Sequence, residues 1–273
     1  MYLETINSPA DVKKLSVEEM TALAAEMREA LIVRASRHMG HVGPDLGFIE
    51  ATVALHAVFS SPEDKIIYDI SHQTYPHKML TGRREAYTNP AHYDDVSAYS
   101  NPKESPHDFF ELGHTSVSID LALGMAKARN LLGGTEKVVA VIGDGSLSGG
   151  EALEGLNTAG EFRGQFLILV NDNQMSIAEN HGGLYASLKA LRESNGTSEN
   201  NLFRAMGLDY RYEAAGNDIG ALIRALNAVK DLNHPLVLHI NTLKGKGYEP
   251  AETRKEEFHW HFPFDRESGE TLP

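Results

Sequence analysis

Apolar residues along this chain recur with two periods. Met20, Leu23, Ala24, Met27, Leu31 and Ile32 share one face of a helix. Ser16, with Glu19 three residues on, makes a capping box, so the first clear helix is predicted from Ser16 to about Val33. Gly40-His41-Val42-Gly43-Pro44 reads as a polar, glycine-rich turn, followed by a second helix from Phe48 to Val58. Beyond it, short apolar runs at Ile66–Ile70, Val138–Ile142, Phe166–Val170 and Leu236–Ile240 read as buried strands. They alternate with helices predicted at Ser118–Asn130, Gly150–Glu161 and Ile219–Val229. That alternation gives an α/β fold, a mostly parallel sheet with helices on both faces. Residues 1–273 are expected to form a single domain. The polar stretch Ser194–Asn201 is the expected mobile loop. From Lys244 the pattern turns glycine-rich and then charged and aromatic, through Phe258-His259-Trp260-His261-Phe262. Residues 244–273 are therefore expected to be a closing or interface tail, neither helix nor strand.

Composition narrows the function. At 273 residues and 41% hydrophobic, the chain can bury a full core. A formal net charge of −13 and the lack of a basic run argue against nucleic acid as a partner. There is no cysteine, which removes disulfides, thiolate metal sites and thiol nucleophiles. The N-terminal residues do not read as a signal peptide. Runs such as Phe166–Val170 fall far short of the roughly 18 apolar residues of a membrane span. No membrane partner and a cytoplasmic location are expected.

The strongest chemical signal is the run Val138–Ile142 followed at once by Gly143-Asp144-Gly145-Ser146. A strand ending in a glycine-flanked aspartate puts a carboxylate at the carboxyl edge of the sheet, where open α/β sheets bind ligands. The glycines let the backbone approach a ligand closely. The helix opening near Ser148–Gly150 would aim its amides at an anion. The second run, Phe166–Val170, ends in Asn171-Asp172-Asn173-Gln174-Met175. Either segment alone is equally a polar turn after a strand. If the two strands are close, Asp144 and Asn173 face one volume, and a carboxylate, an amide oxygen, a backbone carbonyl and phosphate oxygens suit Mg²⁺. The lack of a Gly-x-Gly-x-x-Gly turn after an early strand disfavours a Rossmann dehydrogenase, and no P-loop occurs either.

Gly-Asp-Gly followed by Asn-Asp-Asn resembles the thiamine diphosphate motif of transketolases. The segment from Ser71-His72-Gln73-Thr74 through Leu80-Thr81-Gly82-Arg83 is similar to a signature of 1-deoxy-D-xylulose-5-phosphate synthase. So are Gly113-His114-Thr115-Ser116, Asn171–Ile177 and Gly245-Lys246-Gly247-Tyr248-Glu249-Pro250. The likeness runs from about residue 35 to 262. It implies a thiamine-diphosphate-binding fold of the diphosphate-binding type, with thiamine diphosphate and Mg²⁺ as cofactors. On that resemblance, Asp144, Asn173 and the carbonyl of Met175 hold the metal. His72, Gly113, His114, Thr115, Gly143, Asp144, Gly145, Ser146, Asn173, Lys244 and Tyr248 touch the cofactor. His41, His72, His114 and His259 move protons around the reacting carbonyl, work for which imidazole suits neutral pH. His38, His56, His92 and His234 are read as structural.

Two departures shape the functional expectation. The resembled enzymes hold the cofactor between two domains, and a glutamate of the second activates its aminopyrimidine ring. Such a segment does not follow here, so a separate C-terminal transketolase subunit is expected to supply it in an α₂β₂ assembly, with self-association of this chain. A truncated chain is the alternative. The Gly40–Gly47 turn is closer to transketolase, and the stretch after Asn180 is shorter than in the synthase. The expected activity is therefore transfer of a two-carbon ketol unit between sugar phosphates. The alternatives are half of a 1-deoxy-D-xylulose-5-phosphate synthase-like enzyme, condensing pyruvate with an aldehyde phosphate, and a non-catalytic cofactor-binding module.

Overall fold

The computed structural model describes Met1–Pro273. Five strands form one all-parallel sheet: β1 (Lys65–Tyr68), β2 (Val138–Gly143), β3 (Phe166–Asp172), β4 (Asp209–Glu213) and β5 (Pro235–Asn241). Their order is β1-β2-β3-β5-β4. The four predicted strands are present, each within two residues of its expected bounds.

Side chains alternate across the central strands, and both faces are covered. Val138, Ala140 and Ile142 of β2, with Ile168 and Val170 of β3, pack against α3 (Ser118–Leu132), α4 (Gly150–Glu161) and α5 (Gly183–Glu193). Val139, Val141, Leu167 and Leu169 point the other way, onto α2 (Gly43–Val58) and α6 (Ile219–Asn227). Outside α2 lies α1 (Val17–Ala35), whose capping box forms as the sequence requires, with Ser16 Oγ accepting from Glu19 N–H and the Glu19 carboxylate from Ser16 N–H. A third apolar cluster joins α1 to residues 75–87 and to the C-terminal segment.

Three expectations change. The turn before α2 is shorter than predicted, because Pro44 sits in the first helical turn, where proline is tolerated, and α2 starts at Gly43. The C-terminal tail does carry regular structure: a short helix at Glu249–Thr253, a single 3₁₀ turn at Glu257–His259, and a two-residue strand, Trp260–His261, antiparallel to Gly40–His41. Tyr248, Phe258 and Phe264 of that tail are buried in the cluster with α1 and α2, which makes it part of the core, while Trp260 and Phe262 stay exposed. Finally, β4 and α5 were not foreseen. Residues Ser194–Asn201 form a turn whose backbone is bonded to its own side chains, as at Ser198 N–H to Ser194 Oγ. No helix is long and apolar enough to cross a membrane.

Candidate active site

Strands β2 and β3 pair directly, with Gly143 opposite Asn171. Their carboxyl ends therefore deliver Asp144 and Asn173 to the same place, a cavity of about 490 Å³. Asp144, Asn173 and Met175 all line it, together with Gly143, Gly145, Ser146, Thr115 and Lys244. A Cβ on Gly145 would come within 2.4 Å of Ser176 Oγ and 3.0 Å of Ser176 Cα, so the two strand-end loops approach this closely only because residue 145 is glycine. A Cβ on Gly143 would meet nothing within 4 Å.

Asp144 is buried. Burial, and then the neighbouring Asp172 carboxylate, push its carboxyl well above the ordinary range. No cationic side chain pairs with it; its one side-chain partner is the Asn180 amide, which donates to Oδ2 at 2.8 Å. A buried acid in that position, beside an amide oxygen and a backbone carbonyl, fits a hard divalent cation. On the opposite wall, Asp69 at the end of β1 accepts from the N–H groups of Ser116 (2.8 Å) and Ser118 (2.9 Å). That pins the start of α3, and from there Thr115 Oγ1 donates to Ser146 Oγ at 2.8 Å and Ser116 Oγ to the Ser146 carbonyl at 2.8 Å. The Ser146 hydroxyl, which accepts from Thr115 and keeps its own proton to donate, thus faces the cavity with the turn at Gly143–Ser146 as a place for an anion.

Three histidines meet at the other end. Ring centroids lie 5.0 Å apart for His41–His72, 5.7 Å for His41–His259 and 5.3 Å for His72–His259. The short ribbon between Gly40–His41 and Trp260–His261 explains the encounter, because it carries the tail's His259 across to His41. Burial lowers His41 to about 4; burial, followed by the charges of Lys244 and His41, lowers His259 to about 3; burial holds His72 well below its usual value. All three are neutral at pH 7, and the Nδ1 of each is buried without a partner. Lys244, lowered by burial to about 8, donates to the carbonyls of Ser176 (2.6 Å) and Ile177 (3.3 Å).

Strain gathers at the same place. Of the five non-glycine residues with left-handed φ, four adjoin the cavity: Ile70 (+55°) and Ser71 (+74°) before His72, Ser116 (+73°) after Thr115, and Gln174 (+68°) after Asn173. For a β-branched residue such as Ile70 that conformation is a genuine outlier, and it persists because surrounding contacts over-determine it. Ser71 Oγ accepts from Ser100 N–H at 2.8 Å, and the helix after His72 is anchored by His77 on Asp108, which also receives Arg83.

Several expected site residues lie elsewhere. Tyr248 is turned into the tail's own aromatic cluster, stacked on Phe264 and edge-on to Phe258, and its hydroxyl donates to the Arg266 carbonyl at 3.1 Å. It does not reach the cavity, because the helix at Glu249–Thr253 directs it inward. His114 is exposed, with Nδ1–H donating to the Thr115 carbonyl, and Gly113 is exposed beside it; of that triplet only Thr115 lines the cavity. His38, His92 and His234 pair with Asp94, Asp95 and Asp209, and His56 with His77, all away from it. The cavity also includes residues the sequence did not single out: Asp69, Gln73, Tyr99, Ile177 and Trp260. Gln73 and Ile177 sat inside segments that carry the resemblance; Asp69, Tyr99 and Trp260 are brought in by the course of the chain.

Residues 3–199 match the family described as 1-deoxy-D-xylulose-5-phosphate synthase. The chain belongs to that family. It is 41% identical to 1-deoxy-D-xylulose-5-phosphate synthase 2 of Geobacter sulfurreducens, over 99% of this chain and 49% of the relative. It is 42% identical to the synthase of Porphyromonas gingivalis, over 98% of this chain and 48% of the relative. The chain thus spans about half the length of the synthases it matches. Its fold is shared with transketolase from Campylobacter jejuni, with a TM-score of 0.71 over 90% of this chain and 41% of that one, at 17% identity. A transketolase variant from Pichia stipitis gives 0.68 over 86% and 37%, at 18% identity. Likeness at that identity speaks for the fold, and the synthase family is a family of thiamine-diphosphate enzymes. The sequence comparison therefore favours the synthase alternative over the transketolase first expected.

Proposed function

We propose that this chain is the diphosphate- and cation-binding half of a 1-deoxy-D-xylulose-5-phosphate synthase-like enzyme, which condenses pyruvate with an aldehyde phosphate and releases CO₂. The observation that carries the reading is the convergence of Asp144, Asn173 and Met175 at the paired ends of β2 and β3, in a chain related to synthases along nearly its whole length. Asp144, the Asn173 amide oxygen and the Met175 carbonyl would hold Mg²⁺. Thr115, Gly145 and Ser146 would receive the diphosphate. When bound, thiamine diphosphate supplies the electron sink for cleaving and forming bonds at a carbonyl.

The chain's own part is to place protons. His41, His72 and His259 are neutral at pH 7, so each ring can donate from one nitrogen and accept on the other beside a substrate oxygen. Their burial keeps bulk water from competing for those positions. The aminopyrimidine end and its activating glutamate would come from a second polypeptide half, as part of an α₂β₂ assembly in the cytoplasm. Exposed His114 would then be covered by that partner and join the site from its rim.

The test offers two donors to the chain, thiamine diphosphate and Mg²⁺, together with the co-purifying second half. Release of CO₂ from labelled pyruvate that needs every component supports the synthase reading. Consumption of xylulose 5-phosphate without CO₂ would replace it with ketol transfer. An intact biological effect in the Asp144→Ala chain would point to a non-catalytic role instead.

A further inference from the structure

Behind the cavity wall lies a carboxylate that the function above does not use. Asp172 sits between Asn171 and Asn173, and both it and His239 are fully buried, at 0% exposure. Its Oδ2 accepts from His239 Nε2–H at 2.9 Å and from the Arg192 guanidinium, and its Oδ1 from Gln174 N–H at 3.1 Å. Its backbone carbonyl accepts from Thr242 N–H at 3.0 Å. His239, donating through Nε2, accepts on Nδ1 from the Tyr210 hydroxyl at 2.8 Å. One side chain therefore joins the ends of β3 and β5 to α5, and reaches β4 through His239.

Those attachments fix the geometry of the next residues. Gln174, whose N–H Asp172 holds, has the left-handed φ of +68° that reverses the chain. That reversal is what brings both Asn173 and Met175 to the cavity. Arg192 stands in the last turn of α5, so its ion pair also ties that helix to the end of β3. Asp172 is saturated by its donors and lines neither this cavity nor the adjoining one beside Asn180. It acts through its neighbours.

We propose that Asp172, clamped by His239 and Arg192, is the positioning residue of the cation site, and that it sets the Asn173–Met175 reversal in register with Asp144. The proposal rests on the cation-binding reading given above. In metal sites generally, loss of an outer partner that orients the ligands lowers affinity by roughly 10- to 100-fold. Mn²⁺ serves as the probe, counted by electron paramagnetic resonance in the presence of thiamine diphosphate. Trp260, the chain's single tryptophan and part of the cavity lining, gives an independent emission signal.

Asp172→Asn should weaken Mn²⁺ binding by roughly tenfold or more. Arg192→Gln, which leaves Asp172 and the three cation ligands in place and so is a check should the first variant fail to fold, should weaken it severalfold, with Arg192→Lys regaining part of the loss. Folded variants, by circular dichroism, that bind Mn²⁺ as tightly as the unaltered chain would overturn the clamp alone. An unaltered chain that binds no Mn²⁺ would overturn the cation-site reading and the clamp with it.

Discussion

The Asn180 side-chain amide donates to Asp144 Oδ2 at 2.8 Å, while Ser176 Oγ donates to the same amide's oxygen at 2.5 Å. Asp144 is thus capped by a residue from the segment that borders the cavity. A carboxylate oxygen engaged by an N–H donor is less available to a cation, so the two compete for Asp144. Asn180→Ala should therefore tighten Mn²⁺ binding severalfold and lower the melting temperature of the cation-free chain, since a hydrogen bond to a charged group contributes about 1.5–3 kcal/mol when buried, and less in this partly exposed setting. Weaker Mn²⁺ binding in a titration would mean that Asn180 works alongside the cation instead.

Much of this was legible beforehand, and what escaped has physical reasons. The buried strands announce themselves because parallel strands covered on both faces are continuous apolar runs, as at Val138–Ile142. The edge strand Asp209–Glu213 is charged, with only Tyr210 fully buried, so its pattern resembles a loop. The helix Gly183–Glu193 did carry a signal, Leu184, Leu188 and Leu191 at helical spacing, which a count of period would have caught. The meeting of His41 with His259 depends on a pairing between distant segments, which spacing cannot encode; only family resemblance pointed there. Tyr248 shows the limit of that resemblance, since a matched motif does not say which way a ring turns.

The histidine cluster makes a pH prediction. His41 has a folded-state pKa of about 4, lowered by burial, against about 6.5 in an unfolded chain. Between those values the unfolded chain binds more protons, so stability is complete above pH 6.5 and falls as the pH drops toward 4. At pH 5 the loss from His41 is about 2 kcal/mol. Urea unfolding at pH 7 and pH 5 should show a smaller drop for His41→Gln than for the unaltered chain. Equal drops in the two proteins would mean that His41 does not titrate in this way.

Asp144 works in the opposite sense. Its carboxyl is raised by burial and by Asp172, so its contribution to stability is complete below the ordinary carboxylate range and is lost as the pH rises from that range through the raised folded value. Asp144→Asn removes that charge while keeping an oxygen for the Asn180 amide. The variant should melt a few degrees higher at pH 7.5 and lose Mn²⁺ binding, a trade of stability against function that is common at buried ionisable sites. A lower melting point at pH 7.5, seen by calorimetry, would show that the carboxylate is already compensated within the chain.

The two glycines beside Asp144 should separate packing from ligand contact. Gly145→Ala would drive a methyl group to within 2.4 Å of Ser176 Oγ and 3.0 Å of Ser176 Cα. The backbone contact cannot be relieved by a rotamer change, so the strand-end loops must part, at about 1–3 kcal/mol for overpacking of this kind. Gly143→Ala meets no protein atom within 4 Å, so the fold should keep its melting temperature. If thiamine diphosphate lies along that open side, Gly143→Ala should still weaken cofactor binding, read as quenching of Trp260. Loss of binding in Gly145→Ala with lowered stability, and in Gly143→Ala without it, would place the ligand against residue 143. Unchanged binding in Gly143→Ala would remove that residue from the cofactor's surroundings.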